Sequence, residues 1–355
     1  MQLNKSASPD SFPLKPLLLI SPFFLWGTAM VAMKGVIPHT APFFLAGMRI
    51  LPAGILILIV AAIMGKPQPQ GWKAWLWIAL FGLVDGALFQ GFLAEGLVRT
   101  GAGLGSVMID SQPLAVALMS SWLFAEKIGL YGWLGLLFGI AGISLIGLPD
   151  EFIFSIFSNT TESTINISQS FFQSGELLML LAALSMAVGT VMIRFVTRHA
   201  DAVTATGWHM ILGGLPLWGI SATTESQQLE NLIPSDWVAL AYATIFGSAI
   251  AYGLFFYFAS SGNLTSLSSL TFLTPIFALI FGNIFLNEFL SSLQWVGVSI
   301  TLVSIYLINQ RDALGNKNNR ETLTEKTTQH SLEISDKKLN PLKIPVKKSE
   351  REILQ

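Results

Sequence analysis

The stretch QPLAVALMSSWLFAE, Gln112 to Glu126, returns as TPIFALIFGNIFLNE, Thr274 to Glu288, at an offset of 162 residues. Pro113, Glu126 and Trp133 in the first copy keep the spacing of Pro275, Glu288 and Trp295 in the second. Upstream the match continues without a gap through Trp75 with Trp237, Ala87 with Ala249 and Gly91 with Gly253, and Gly27-Thr28 meets Gly189-Thr190 at the same offset. Gly47 and Gly54 match Gly207 and Gly214 at an offset of 160. Each copy holds five apolar stretches. Two homologous units that each cross a bilayer an odd number of times enter it in opposite orientations, which is the inverted-repeat plan of many secondary transporters.

Composition agrees with a bilayer. Of 355 residues, 52% are hydrophobic and only 12% charged, where a water-soluble domain carries about 25% charged residues. The formal net charge of -1 hides a segregation, because ten of the twenty Lys and Arg residues follow Asn309. The absence of Cys excludes disulfides, thiolate metal sites and a Cys nucleophile. The first apolar stretch is too long for the core of a cleavable signal and lacks a small-residue cleavage site, so it is expected to remain as a span.

Ten stretches long enough to cross about 30 Å of hydrocarbon as helix are predicted at 16–37, 42–64, 73–95, 102–124, 130–148, 175–197, 202–221, 236–258, 264–286 and 292–309. The expected fold is an all-α membrane protein of ten transmembrane helices in two inverted five-helix repeats. A cytoplasmic segment 1–14 precedes the first repeat, 15–148, and an outer connecting loop 149–174 leads to the second, 175–309. A polar segment follows over 310–355 and is expected to be disordered. Its ten cations against seven acids suit either anionic lipid headgroups or a solubilising role that enforces topology. Short cytoplasmic loops are enriched in Lys and Arg. Placing both termini inside puts Lys5, Lys15, Lys66, Lys73, Lys127, Arg194, Arg198 and the basic tail on that face. The long outer connections 149–174 and 222–235 then hold no cation. The sequons at Asn159 and Asn166 fall in the first of these and matter only in a secretory pathway.

Leu25-Trp26-Gly27-Thr28 followed by Lys34 resembles the first-span signature of the drug/metabolite transporter superfamily, EamA type. Arg49 with its aliphatic run is similar to the second span of that family. Gly101 to Gly147, with Pro113, Glu126, Trp133-Leu134-Gly135 and Gly142, resembles its fourth and fifth, and Gly175-Glu176-Leu177-Leu178 resembles the opening of its second repeat. The resemblance spans residues 15–309 and implies a transporter of small organic molecules. Two positions depart from it: Val188 stands where the first repeat has Trp26, and Asp110 stands where the family carries an apolar or small residue.

Ionisable side chains at membrane depth are costly and face a bundle interior or a wet cavity. At about 1.5 Å rise per residue, Arg49 lies about 11 Å below the outer end of span two, Asp110 about 12 Å below that of span four, and Asp85 near the middle of span three. Comparable depth allows an Arg49–Asp110 or Arg49–Asp85 pair. Two readings stand side by side. In one, the three line a central cavity where Arg49 binds an anionic group or holds a carboxylate ionised and Asp110 exchanges a proton or meets a cation. In the other, they form a buried ion pair that fixes helix packing. The second repeat has His209 at the Arg49 position, Gly247 at the Asp85 position and Phe272 at the Asp110 position. His209 is the only His inside a predicted span, and is either titratable near neutral pH or an interior hydrogen-bonded group.

Gln112-Pro113 and Thr274-Pro275 occupy matching sites. A Pro inside a helix frees the carbonyl four residues earlier and bends the axis, which makes Pro113 and Pro275 candidate hinges and Gln112 and Thr274 candidate cavity groups. Pro22 and Pro52 read as simple bends. Glu126 and Glu288 close their spans on opposite faces, as gates or as structural contacts. Trp26, Trp208, Tyr252 and Tyr257 are aromatics for stacking on or hydrogen-bonding an organic substrate, whereas Trp72, Trp75, Trp77, Trp237 and Trp295 fit an interfacial belt. Glu95 and Arg99 have the spacing of a helix-surface pair.

No P-loop, HExxH or GxSxG elbow occurs, so neither an enzyme nor a chain that hydrolyses ATP is expected, and no cofactor or metal. The expected function is secondary transport of a small organic metabolite, export coupled to proton entry, by alternating access in the plasma (inner) membrane or alternatively in an organelle membrane. Expected partners are the small-molecule substrate, the lipid bilayer and a coupling proton, with a homodimer open and nucleic acid not expected. A non-transporting membrane assembly or sensor protein acting through its basic tail is the alternative.

Overall fold

The computed structural model describes residues 14–99, 108–147, 175–286, 291–308 and 310, and every regular element among them is helical. We label the ten principal helices in chain order: α1 Leu14–Lys34, α2 Pro42–Ile63, α3 Gly71–Arg99, α4 Gln112–Phe124, α5 Gly129–Gly147, α6 Gly175–Val196, α7 Ala202–Thr224, α8 Pro234–Ser261, α9 Leu264–Phe285 and α10 Ser292–Ile308. Seven of them, α1, α2, α3, α5, α6, α8 and α9, are long and apolar enough to cross a membrane, and α10 is a shorter apolar helix. The other two differ for separate reasons. α4 is shortened by a turn at Ser111 just before Pro113, and α7 has the length but carries Thr204, Thr206, His209 and Ser221 among its buried residues. The expected span 102–124 falls partly outside the described residues.

Large apolar side chains point both inward and outward. Phe23, Phe81, Phe255, Phe256 and Phe272 are fully buried, while Trp122 is 84% and Ile63 81% exposed. An apolar exterior over apolar helices is stable only where the surroundings are hydrocarbon, with the backbone bonded within each helix. Trp72, Trp237 and Trp295 are exposed near helix ends, where an aromatic belt would meet headgroups.

Small residues let the helices approach closely, as they do in membranes. The missing side chain of Gly54 faces the backbone carbonyl of Gly207, joining α2 to α7, and Gly86 lies against Gly213, joining α3 to α7. Ser304 on α10 donates to the carbonyl of Gly135 on α5 at 2.6 Å, and Gly297 lies against the carbonyl of Gly142. These last two contacts exchange under the offset of 162, since Gly135 matches Gly297 and Gly142 matches Ser304.

Two helices are wound more loosely in their middles. Residues Gly82–Phe89 of α3 and Ala243–Ile250 of α8 are π-helical, and they stand at nearly the repeat offset from each other. Such wide turns often mark functional positions. α9 changes winding before its proline: Leu270–Phe272 is a 3-10 turn, and Pro275 follows. Its counterpart in α4 is the turn at Ser111. Pro22 lies inside α1, and the Leu18 carbonyl it frees accepts from the Ser21 hydroxyl at 2.9 Å.

Candidate functional site

The wide turn of α3 carries Asp85, and the glycines around it bring that carboxylate to α7. Gly82 and Gly86 have no side chains to hold α7 away, so their backbones lie on those of His209 and Gly213. Asp85 Oδ2 meets His209 Nε2 at 3.2 Å, and the two residues are each 1% exposed. His209 Nδ1 lies 2.6 Å from the Thr206 carbonyl oxygen. A carbonyl only accepts, so Nδ1 carries a hydrogen. A neutral imidazole protonated there offers a lone pair at Nε2, and the contact with Asp85 is a hydrogen bond only when one proton lies between them. Phe81 stacks on the imidazole at 4.0 Å and Phe256 meets it edge-on at 5.4 Å. Asp85 Oδ1 has no hydrogen-bond partner, and the backbone of Gly189 on α6 lies against it, where a Cβ would collide with the carboxylate.

Arg49 on α2 has another partner. Its Nη2 donates to Gln90 Oε1, whose Nε2 donates in turn to the hydroxyl of Tyr252 on α8 at 2.8 Å. Gln90 and Tyr252 are 162 residues apart and thus occupy matching places in the two repeats. The pairs that depth alone allows, Arg49–Asp110 and Arg49–Asp85, do not form: among the described residues the partner of Arg49 is Gln90 and that of Asp85 is His209. Tyr252 lies within electrostatic range of both Arg49 and Asp85, which joins the two groups into one buried polar region. Trp26 on α1 packs edge-on against Tyr252 at 5.2 Å, and its indole Nε1 is buried without a partner.

Around this region lie the proline-broken helices. Gln112 Nε2 donates to Thr190 Oγ1 at 3.1 Å, and that hydroxyl donates to the Met186 carbonyl at 2.8 Å. Gln112 Oε1 and Thr274 Oγ1 are buried and unpaired. Gly27 lets α1 rest on the Thr274 carbonyl of α9. Asp110, 7% exposed, makes no hydrogen bond among the described residues. Buried donors and acceptors are nearly always paired. Here Trp26 Nε1, Arg49 Nε, Asp85 Oδ1, Gln112 Oε1 and Thr274 Oγ1 are not, and an unmet buried group costs about 1–3 kcal/mol. These are five of the eight such atoms among the described residues and lie on α1, α2, α3, α4 and α9; the other three belong to Ser120, Thr204 and Ser248.

Other candidates lie elsewhere. Trp208 donates from Nε1 to Gln68 at 2.9 Å and packs edge-on against Trp75 at 5.0 Å, beside the α2–α3 connection. Tyr257 is half-exposed on the outside of α8. Glu126 holds the start of α9: it accepts from Leu264 N at 3.2 Å, Thr265 N at 3.4 Å and Thr265 Oγ1 at 3.0 Å, with Arg194 Nη2 at 3.3 Å. Arg194 also donates to the Gly262 carbonyl. Glu288 lies outside the described residues. Glu95 and Arg99 form the surface pair at 2.6 Å.

A family model described as the EamA-like transporter family matches residues 14–148 and again 173–310. The chain belongs to the EamA-like transporter family. An uncharacterized transporter of Synechocystis sp. is 67% identical over 299 residues, covering 84% of this chain and 90% of its own length. A chloroplastic WAT1-related protein of Arabidopsis thaliana is 55% identical over 296 residues, 82% of this chain and 68% of that one. An uncharacterized inner membrane transporter of Escherichia coli is 25% identical over 292 residues, 82% and 89% respectively. A solved crystal structure superposes with a TM-score of 0.64 at 17% identity, over 84% of this chain and 96% of that one, which extends the likeness to the fold. This EamA protein is therefore an integral membrane transporter, and its family speaks for transport rather than enzymatic turnover.

One residue of this candidate site escaped sequence reasoning. Gln90 is neutral, so a search for ionisable groups at depth passes over it. Its position 162 residues before Tyr252 and next to the matched glycines Gly91 and Gly253 was the available signal.

Proposed function

We propose that this chain is a secondary transporter that exports a small organic metabolite in exchange for entering protons, with ten spans in two inverted five-helix repeats that rock about a central site. The observation that carries the reading is the Gln90–Tyr252 hydrogen bond. It links matching residues of the two repeats, and an inverted repeat brings matching residues together only near its pseudo-two-fold axis, where transporter sites lie. Arg49, Trp26, Gln112 and Thr274 offer unpaired polar atoms around it and are the substrate-facing groups. Pro113 and Pro275 sit at matching breaks and act as hinges. The cation-free connections 149–174 and 222–235 favour an external face for both, hence cytoplasmic termini. The plasma (inner) membrane is the first location, supported by the name of the Escherichia coli relative; the chloroplastic Arabidopsis relative supports an organelle membrane as the second.

Comparing metabolites inside and outside cells with and without the gene tests this directly. A solute that falls inside and rises outside, with the difference abolished by a protonophore, is the expected result. Unchanged metabolite distributions sink the proposal. Cells carrying the chain without residues 311–355 are expected to keep the export phenotype; its loss favours an assembly or sensor protein acting through the tail.

A further inference from the structure

We propose that Asp85 and His209 together form a single-proton site, and that this pair rather than Asp110 binds the coupling proton. The geometry fixes the count. Thr206 holds a hydrogen on His209 Nδ1, so the Nε2–Oδ2 contact at 3.2 Å accommodates one proton, written equally as carboxylic acid with imidazole or carboxylate with imidazolium. Both side chains are sealed from solvent, at 1% and 0% exposure.

The surroundings let that proton leave. On α2 the charged neighbour is Arg49, on α8 the titratable neighbour is Tyr252, and on α6 the backbone of Gly189 lies against Asp85. With the proton bound, Arg49 is the one net charge of the region. With it gone, the Asp85 carboxylate and the Arg49 guanidinium carry opposite charges in the same buried region, so the emptied site buries no net charge. Phe81 and Phe256 cover the imidazole with an aromatic face and an aromatic edge. Asp85 Oδ1 remains free to accept from an arriving water or solute.

The repeat explains why the site is single. Arg49 matches His209 at an offset of 160 and Asp85 matches Gly247 at 162. The symmetry-related pair of positions therefore holds an arginine and a glycine, and Gly247 lies against Ala29 of α1. One repeat supplies a permanent charge where the other supplies a titrating one. Asp110, which has neither a hydrogen-bonding nor a charged partner among the described residues, lacks a group with which to share or balance a proton.

The proton role rests on the transport reading, whereas the proton site itself does not, and two measurements separate them. For the site, the full chain with nitrogen-15 histidine is placed in phosphatidylcholine and phosphatidylglycerol vesicles and titrated, the His209 resonance being assigned by its loss in His209→Gln. We expect Nδ1 to stay protonated throughout while Nε2 passes one transition, and Asp85→Asn to displace that transition at least tenfold in proton concentration. An unchanged transition in Asp85→Asn overturns the pair. Infrared difference spectra of the wild-type chain need no variant: carboxyl and imidazole bands share one midpoint if the site is joint, and separate midpoints or none overturn it. For the role, untargeted metabolite profiling of cells expressing Asp85→Asn is expected to show no protonophore-sensitive export, and wild-type sensitivity overturns coupling through this pair. Absence of export from wild-type cells removes the transport reading and with it the coupling role, while the spectra still decide the proton site.

Discussion

The contact between α5 and α10 and the contact between α3 and α8 are both built from residues that match across the repeat, yet they have diverged differently. In the first, Gly135 with Ser304 and Gly297 with Gly142 reproduce each other, small residue against backbone on both sides. In the second, one repeat supplies Gln90 and the other Tyr252, and the acid beside them occurs in one repeat only. A packing surface tolerates little change, because an added methylene strikes backbone. A polar centre between two copies gains by becoming unequal, since two identical acids or two identical arginines near one axis would repel.

Leucine at Gly142 is the severest trial of this contrast. Its side chain would enter Thr301 and the Gly297 carbonyl, and a loss of about 3 kcal/mol is expected, read as a fall in detergent melting temperature. Gly297→Leu is expected to match it to within about 0.5 kcal/mol; a large inequality between the two breaks the picture of a shared scaffold. At the unequal centre, Gln90→Ala removes two hydrogen bonds and leaves the Arg49 Nη2 and Tyr252 hydroxyl unmet. We expect about 2 kcal/mol, or roughly thirtyfold in export rate, against about 1 kcal/mol for Tyr252→Phe, which removes one bond; equal losses remove the asymmetry. Smallest is Glu126→Gln. The amide oxygen still accepts at the start of α9, so only the charge facing that helix end and Arg194 is lost, for about 0.5 kcal/mol in the same melting assay.

Much of the fold was legible because repetition and apolar length are one-dimensional. The matched prolines forecast breaks in α4 and α9, and breaks occur just before both. Rise per residue located Arg49, Asp85 and Asp110 in depth but not in azimuth around their helices, which is why Arg49 was expected beside an acid and instead meets Gln90. His209 was recognised as unusual, but its acid lies 124 residues away in the other repeat, and only packing brings them together. The wide turns of α3 and α8 were not foreseen, since no residue type announces an i→i+5 hydrogen bond.

Those wide turns have a mechanical consequence. A π-helical stretch holds one more residue per hydrogen-bonded loop than an α-helix does, and one residue corresponds to about 100° of rotation. Gln90 immediately follows the stretch in α3 and Tyr252 lies just beyond that in α8. If the surplus residue migrates along either helix, the segment it passes turns like a screw by a quarter turn or so while its ends stay clamped by neighbouring helices. α3 and α8 would thus carry a rotary slack at a crossing where matching residues of the two repeats meet, a means of swinging side chains across the axis without tilting a whole helix.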